Sequence, residues 1–276
     1  MGGNIALGRY TPYNSIIHRI DPRTKIVGVI GLLVAIFLNL TFWEYVFVFA
    51  VCLLLVLLSK VKITSILKSL KAVWFMMLLL TVINIFVIHT GEPLFSIGNF
   101  TLYVGSLIQT AKIVVRLIMV ITLTTVLTST TKPLDLTYAL EWYMAPLKLI
   151  KFPAHEIAMT ISIALRFIPT LLEETQRLIK AQASRGVDLE NGSIKDKMVG
   201  ITSLIVPLFV SSFQKSEELA DAMEARGYNP GAKRTRYRTL HFGGRDIGAL
   251  IFVGLVLALA ILSINHPEYA RSIWPY

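Results

Sequence analysis

Between Ile26 and Leu58 the chain carries a single charge, Glu44. At about 1.5 Å per residue, such a run is too long for one crossing of a ~30 Å hydrocarbon core. It predicts two short spans, 26–41 and 43–58, turning near Asn39–Glu44, each needing tilt or a thin bilayer. Further apolar runs over 72–90, 104–128 and 246–264 predict three more spans. Before the third, Ile63, Ile66, Leu67 and Leu70 share one helical stripe, and Lys60, Lys68 and Lys71 lie largely off it. That pattern predicts an interfacial amphipathic helix over 60–71. From 129 to 245 the pattern changes. Leu136, Ala139, Leu140, Tyr143 and Leu147 make one helical stripe. Ile157–Ile168 reads as a short apolar helix broken before Pro169, with a further helix from about Thr170 to Arg185. Val199–Phe213 is nearly uncharged, holds Pro207 and is shorter than a span. The expected fold is an all-α membrane protein of about five transmembrane helices. A cytoplasmic insert of amphipathic helices over 129–245 separates a four-span part, 1–128, from a last span and outside C-terminus, 246–276.

Composition agrees with a bilayer. Of 276 residues, 54% are apolar or aromatic and only 16% are charged, with a mean hydropathy of +0.64. A soluble domain is about a quarter charged. Met1–Ile20 is mixed and polar, which predicts no cleaved leader. A single cysteine, Cys52, excludes a disulfide framework and a thiolate zinc site.

The net charge of +10 matters for orientation more than for nucleic acid. Of 27 Lys and Arg, sixteen lie between Lys132 and Arg245, four precede Ile26 and four fall in 60–71. The segment 89–103 has none. The positive-inside rule then places the N-terminus, 60–71 and 129–245 in the cytoplasm, with 41–44, 90–103 and the C-terminus outside. No stretch of the basic insert interleaves aromatic and basic residues as a nucleic-acid groove would.

Two stretches of the insert end alike. One reads Ala181-Gln182-Ala183-Ser184-Arg185-Gly186 and the other Ala222-Met223-Glu224-Ala225-Arg226-Gly227. Arg185 continues the seven-residue spacing of Leu171 and Leu178, and Arg226 that of Leu219, so each arginine is expected at the end of an apolar seam. One reading is a helix stop, with glycine at the left-handed position and a cation on the negative dipole end. The other is docking, because a charge ending an apolar seam needs an acidic or carbonyl partner.

Near the start, Asp21-Pro22-Arg23-Thr24-Lys25 suits a capped first turn, with Arg23 and Lys25 anchoring span one at the interface. Lys112 and Arg116 stand one turn apart within span four. They make either a charge relay or a snorkelling lysine beside an arginine paired within the bundle. The histidines 18, 89, 155, 241 and 266 show no ligand spacing, so no metal site is expected. No G-x-x-x-x-G-K-[ST] occurs, so the chain lacks a phosphate-cradling loop.

At these residues the chain resembles the transmembrane T component of energy-coupling factor (ECF) vitamin transporters. The resemblance rests on the paired arginine-glycine ends, on the stretch Ser15-x-x-His18-x-x-Asp21-Pro22-Arg23-x-Lys25, and on the order of four spans, insert and one span. Ser184 departs from the family's alanine and is small enough for the same groove. The resemblance implies a non-catalytic subunit in the plasma membrane of a prokaryote. Ala183, Ser184, Arg185 and Gly186 would dock one ABC-type ATPase subunit, and Ala225, Arg226 and Gly227 a second. Coupling helices would link these to a membrane-embedded, substrate-binding S component. ATP and Mg would sit on the partners, with no cofactor in this chain. Rival readings are the same scaffold in a cobalt or nickel importer, a secondary transporter using Lys112 and Arg116, and an intramembrane enzyme. The vitamin itself would be chosen by the S component.

Overall fold

The computed structural model describes residues 10–11, 13–38, 42–88, 93–97, 100–150, 152–187, 194–229 and 242–264. A 3₁₀ turn, Ile17–Arg19, leads into α1 (Pro22–Phe37), α2 (Phe42–Ser59) and α3 (Ile63–Val87). A β-hairpin follows, β1 (Pro93–Ile97) and β2 (Phe100–Tyr103), paired antiparallel with Ile97 opposite Phe100 and Pro93 opposite Tyr103. Then come α4 (Val104–Thr130), α5 (Pro133–Met144), a 3₁₀ segment Ala145–Ile150, α6 (Ala154–Ser184), α7 (Ile194–Ala225) and α8 (Gly244–Ile264). The described residues fall into two compact units, one within Gly8–Ala139 and Leu240–Tyr276, the other within Leu140–Thr239.

In the first unit α1 packs on α8 and α4, while α2 and α3 pack on α4. Ala35 and Ile36 of α1, Val48 of α2, Met119 and Leu123 of α4 and Val256 of α8 form its buried centre. The outward faces of α2 and α3 expose large apolar side chains such as Trp43, Trp74 and Phe75, as lipid-facing helices do. Gly31 lets α1 and α8 approach. A Cβ there would stand 2.7 Å from Val253 Cγ1 and 3.2 Å from Leu257 Cδ1. Valine is stiff at χ1 and cannot swing aside freely. Gly31→Ala is therefore expected to destabilise the unit by about 1–3 kcal/mol, as overpacking does. Thermal unfolding in detergent, with Gly248→Ala as the control where a Cβ meets open space, reads the effect.

The all-α class holds, with the hairpin in the 90–103 connection as an addition. Three boundaries differ from expectation. The amphipathic stretch 60–71 and the third span are one helix, α3, because no breaker separates Lys71 from Ala72. Pro169 lies inside α6 and does not end a helix before it. Pro207 likewise lies inside α7, which joins 199–213 to the second arginine-bearing stretch. Proline removes one hydrogen bond and kinks a helix, and strong helix formers on both sides carry it onward.

Among the described residues, 5 helices are long and apolar enough to cross a membrane: α3, α4, α6, Lys197–Ala225 of α7 and Gly244–Leu262 of α8. Trp43–Ser59 of α2 is a shorter apolar helix. Continuity through Pro169 and Pro207 lengthens α6 and α7 and so brings them to this length and composition. The protein is a multi-pass membrane protein.

Candidate functional site

The two arginine-bearing helix ends have one backbone design. At the end of α6, Gly186 N–H donates to Ala183 O at 3.0 Å and Val187 N–H to Gln182 O at 3.1 Å. At the end of α7, Gly227 N–H donates to Glu224 O at 2.8 Å and Tyr228 N–H to Met223 O at 2.9 Å. Both are Schellman closures, and both glycines sit in the left-handed region, at φ +85° and +72°. The glycines thus serve as helix stops. The arginines are not needed for that purpose, because the closing bonds are all backbone to backbone.

Both arginine side chains are exposed, as are Ala183, Ser184 and Ala225. Leu171, Leu178 and Leu219 are half-buried. The expectation that each arginine continues the apolar seam is corrected here: the leucines turn inward and the guanidinium groups turn out. Among the described residues neither the Arg185 nor the Arg226 side chain makes a hydrogen bond or ion pair, and each backbone N–H donates within its own helix end, to Gln182 O and Met223 O. Ser184 Oγ turns back to donate to Lys180 O at 3.0 Å, so its alcohol is used within the helix.

Within this unit α6 packs on α7. The contact carries a polar tie centred on Glu174. Its carboxylate accepts from Ser211 Oγ and pairs with the Lys215 ammonium. His155 Nδ1 lies 3.0 Å from Glu141 Oε1 in the same unit, which joins the start of α6 to α5.

The N-terminal motif is a clasp. Asp21 caps α1 by accepting from Arg23 N–H at 2.9 Å, with Pro22 in the first turn. Arg23 Nη2 donates to Tyr138 Oη at 2.7 Å, and its guanidinium lies 4.9 Å from that ring's centre. Lys25 Nζ donates to Thr130 O at 3.0 Å. Arg23 and Lys25 are each only 8% exposed, so both are held by protein partners. They bind the start of α1 to the end of α4 and to α5. His18 Nε2 lies 3.0 Å from Thr11 O, and Nδ1 lies 2.6 Å from Ser15 Oγ. A carbonyl only accepts, so Nε2 carries the proton and Nδ1 accepts from the serine. Burial pushes the His18 pKa down, which keeps this ring neutral.

Sequence reasoning missed Asp246. Its Oδ1 accepts from Asp21 N–H at 2.7 Å and its Oδ2 from Gly243 N–H at 2.7 Å, so one carboxylate caps α8 and grips the first turn of α1. An acidic residue three places after Gly243 is the available signal, the returning half of a capping box.

Arg116 pairs within the bundle: Nη2 donates to Tyr45 Oη at 2.7 Å, and the guanidinium lies 5.7 Å from the Phe37 ring centre. Among the described residues no three His, Cys, Asp or Glu side chains gather as a metal site, and His89, His241 and His266 lie outside those residues.

Comparison with known proteins now decides the family. The family model described as CbiQ, Cobalt transport protein, matches residues 13–237, which include the clasp motif and both arginine ends. A protein of Bacillus subtilis (strain 168), described as energy-coupling factor transporter transmembrane protein EcfT, is 40% identical over 262 residues, 95% of this chain and 98% of its own length. The chain belongs to the EcfT family. The likeness extends to EcfT of Listeria innocua, 41% identical over 93% of this chain and 95% of that protein. EcfT of Staphylococcus aureus is 38% identical over 96% and 99% respectively. As an EcfT-like protein, the chain is a transmembrane component of an ECF transporter, and its apolar helices and transport role are those the resemblance implied.

Proposed function

We propose that this chain is the energy-coupling subunit of an ECF-type ABC importer for vitamins. Arg185 docks one cytoplasmic ATPase subunit and Arg226 another. The observation that carries this reading is the pair of exposed guanidinium groups, without a partner among the described residues, on two helix ends closed in the same way. A planar fork of donors fits a groove lined by carboxylates or carbonyls. ATP and Mg belong to the partners, since no phosphate-cradling loop occurs in this sequence.

The membrane-embedded S component would lie against α7. Phe209 and Phe213, one turn apart, are 67% and 66% exposed, and Met198 and Val199 extend the apolar face. Such a surface asks for an apolar partner. In this arrangement the N-terminus and 129–245 face the cytoplasm of a prokaryotic cell, in line with the distribution of basic residues. The charged C-terminal halves of α6 and α7, with Glu173, Arg177, Lys180, Glu217, Glu218 and Asp221, then lie in or near water. The family description, Cobalt transport protein, favours a second reading on the same scaffold, a cobalt importer, with nickel as the related cargo. Cargo is set by the S component in both readings.

Affinity capture of the tagged chain from detergent-solubilised membranes is the test. We expect two ABC ATPase subunits and one small membrane protein in the captured complex. Purified alone, the chain should neither bind ATP at micromolar concentration nor turn it over. ATP hydrolysis or vitamin uptake by the isolated chain would refute the assignment.

A further inference from the structure

The offset of 41 residues that relates Arg185 to Arg226 also relates Glu174 to Lys215, the two side chains that meet between α6 and α7. Equivalent positions of the two stretches therefore meet at this ion pair. From the tie to each arginine is the same stretch of helix, since 185 − 174 and 226 − 215 are both 11 residues. At a rise of about 1.5 Å per residue each arm is roughly 16 Å long. Ser211, one turn before Lys215, also donates to Glu174, so the carboxylate is gripped by two consecutive turns of α7. Among the described residues this is the one ion pair between the two helices. A directed, charge-assisted pair fixes register in a way that non-directional packing does not.

We propose that Glu174, gripped by Lys215 and Ser211, is the positioning pivot that fixes how α6 and α7 cross and so how far apart Arg185 and Arg226 stand. The inference rests on the docking role of those arginines. It adds that the two arms move about one fixed point, so that a change in spacing between docked ATPases is passed to both helices together. Without the pivot the arms slide, and ATP hydrolysis runs with little transport. The arginines themselves would still bind.

Spin labels test the pivot without any partner. Lys180→Cys and Asp221→Cys are exposed equivalent positions, each six residues past the tie, in a Cys52→Ala background. The labelled full chain in lipid nanodiscs should give one narrow distance. Glu174→Gln or Lys215→Met should broaden or shift it, and the exchanged pair Glu174→Lys with Lys215→Glu should restore it. In the assembled transporter each single change should lower uptake per ATP hydrolysed at least fivefold with ATPase binding retained, and the exchange should recover it. Unchanged distance and coupling in both single variants would overturn the pivot. So would an exchanged pair that behaves like the sum of its parts, as would a single variant that loses ATPase binding. Failure of the docking reading is separate: it would show as Arg185→Ala and Arg226→Ala variants that bind ATPases normally, with the distance measurement still reporting on the tie.

Discussion

Replacing Arg185 or Arg226 with alanine is expected to weaken ATPase binding about thirtyfold or more, and replacing both should abolish assembly. A truncated interface hot spot commonly costs ≥ 2 kcal/mol, which is roughly that factor in affinity. The local structure makes the experiment clean. The closures of α6 and α7 are made by backbone N–H groups of Gly186, Val187, Gly227 and Tyr228, so removing either side chain leaves the fold of the helix end in place. What alanine would cost locally is the cation at the dipole end, about 0.3–1 kcal/mol. Lysine separates the two roles. It supplies that charge nearly as well, but it lacks the planar fork of donors. Arg185→Lys and Arg226→Lys should therefore keep parental thermal stability and still lose most ATPase affinity, read by titrating purified ATPase onto the chain in nanodiscs. If both lysine variants bind and transport like the parent, the arginines are helix ends and nothing more.

The parts of this fold that were legible in the sequence are those bounded by polar residues. The run predicted over 43–58 is α2, Phe42–Ser59, and that over 104–128 is α4, Val104–Thr130. In each, charge or a turn former meets the apolar run at both edges. Continuity was harder to read. Lys68 and Lys71 mark a polar face in the first turns of α3, and a polar face says nothing about where a helix stops. Pro169 looked like a boundary because proline forbids one hydrogen bond, yet a helix of 31 residues loses little by one missing rung. The hairpin at 93–103 has no strict apolar alternation, and Gly98 with Pro93 suggested only a turn.

The candidate site was legible where it depends on local chemistry and hidden where it depends on direction or distance. A glycine after a helical stripe is a stop signal at any depth of burial, and both glycines are stops. Arg185 departs from the seam because it has already left the helix, at φ −87° and ψ 4°, so the seven-residue phase of Leu171 and Leu178 no longer sets its direction. Arg23 and Lys25 find partners more than one hundred residues away, Tyr138 and Thr130, which no local pattern announces. The Glu174–Lys215 tie was within reach, since the offset that paired the arginines pairs these two as well.

Asp246→Ala is expected to destabilise the membrane unit measurably. The carboxylate accepts from the backbone N–H groups of Asp21 and Gly243, both at 2.7 Å, and it is only 4% exposed. Alanine leaves the buried Asp21 N–H without an acceptor, whereas the exposed Gly243 N–H can turn to water. One orphaned buried donor costs about 1–3 kcal/mol. An ordinary exposed position stays within about 0.5 kcal/mol of the parent. Asparagine tells the two bonds apart. Its carbonyl oxygen can serve one N–H, but its amide nitrogen is a donor facing another donor. Asp246→Asn should therefore recover part of the loss and not all of it. The order parent, then asparagine, then alanine in thermal stability, measured in one detergent at neutral pH, checks the assignment. An alanine variant as stable as the parent would mean that α1 and α8 hold together by their apolar faces alone, with Gly31 and Val253 as the contact that matters.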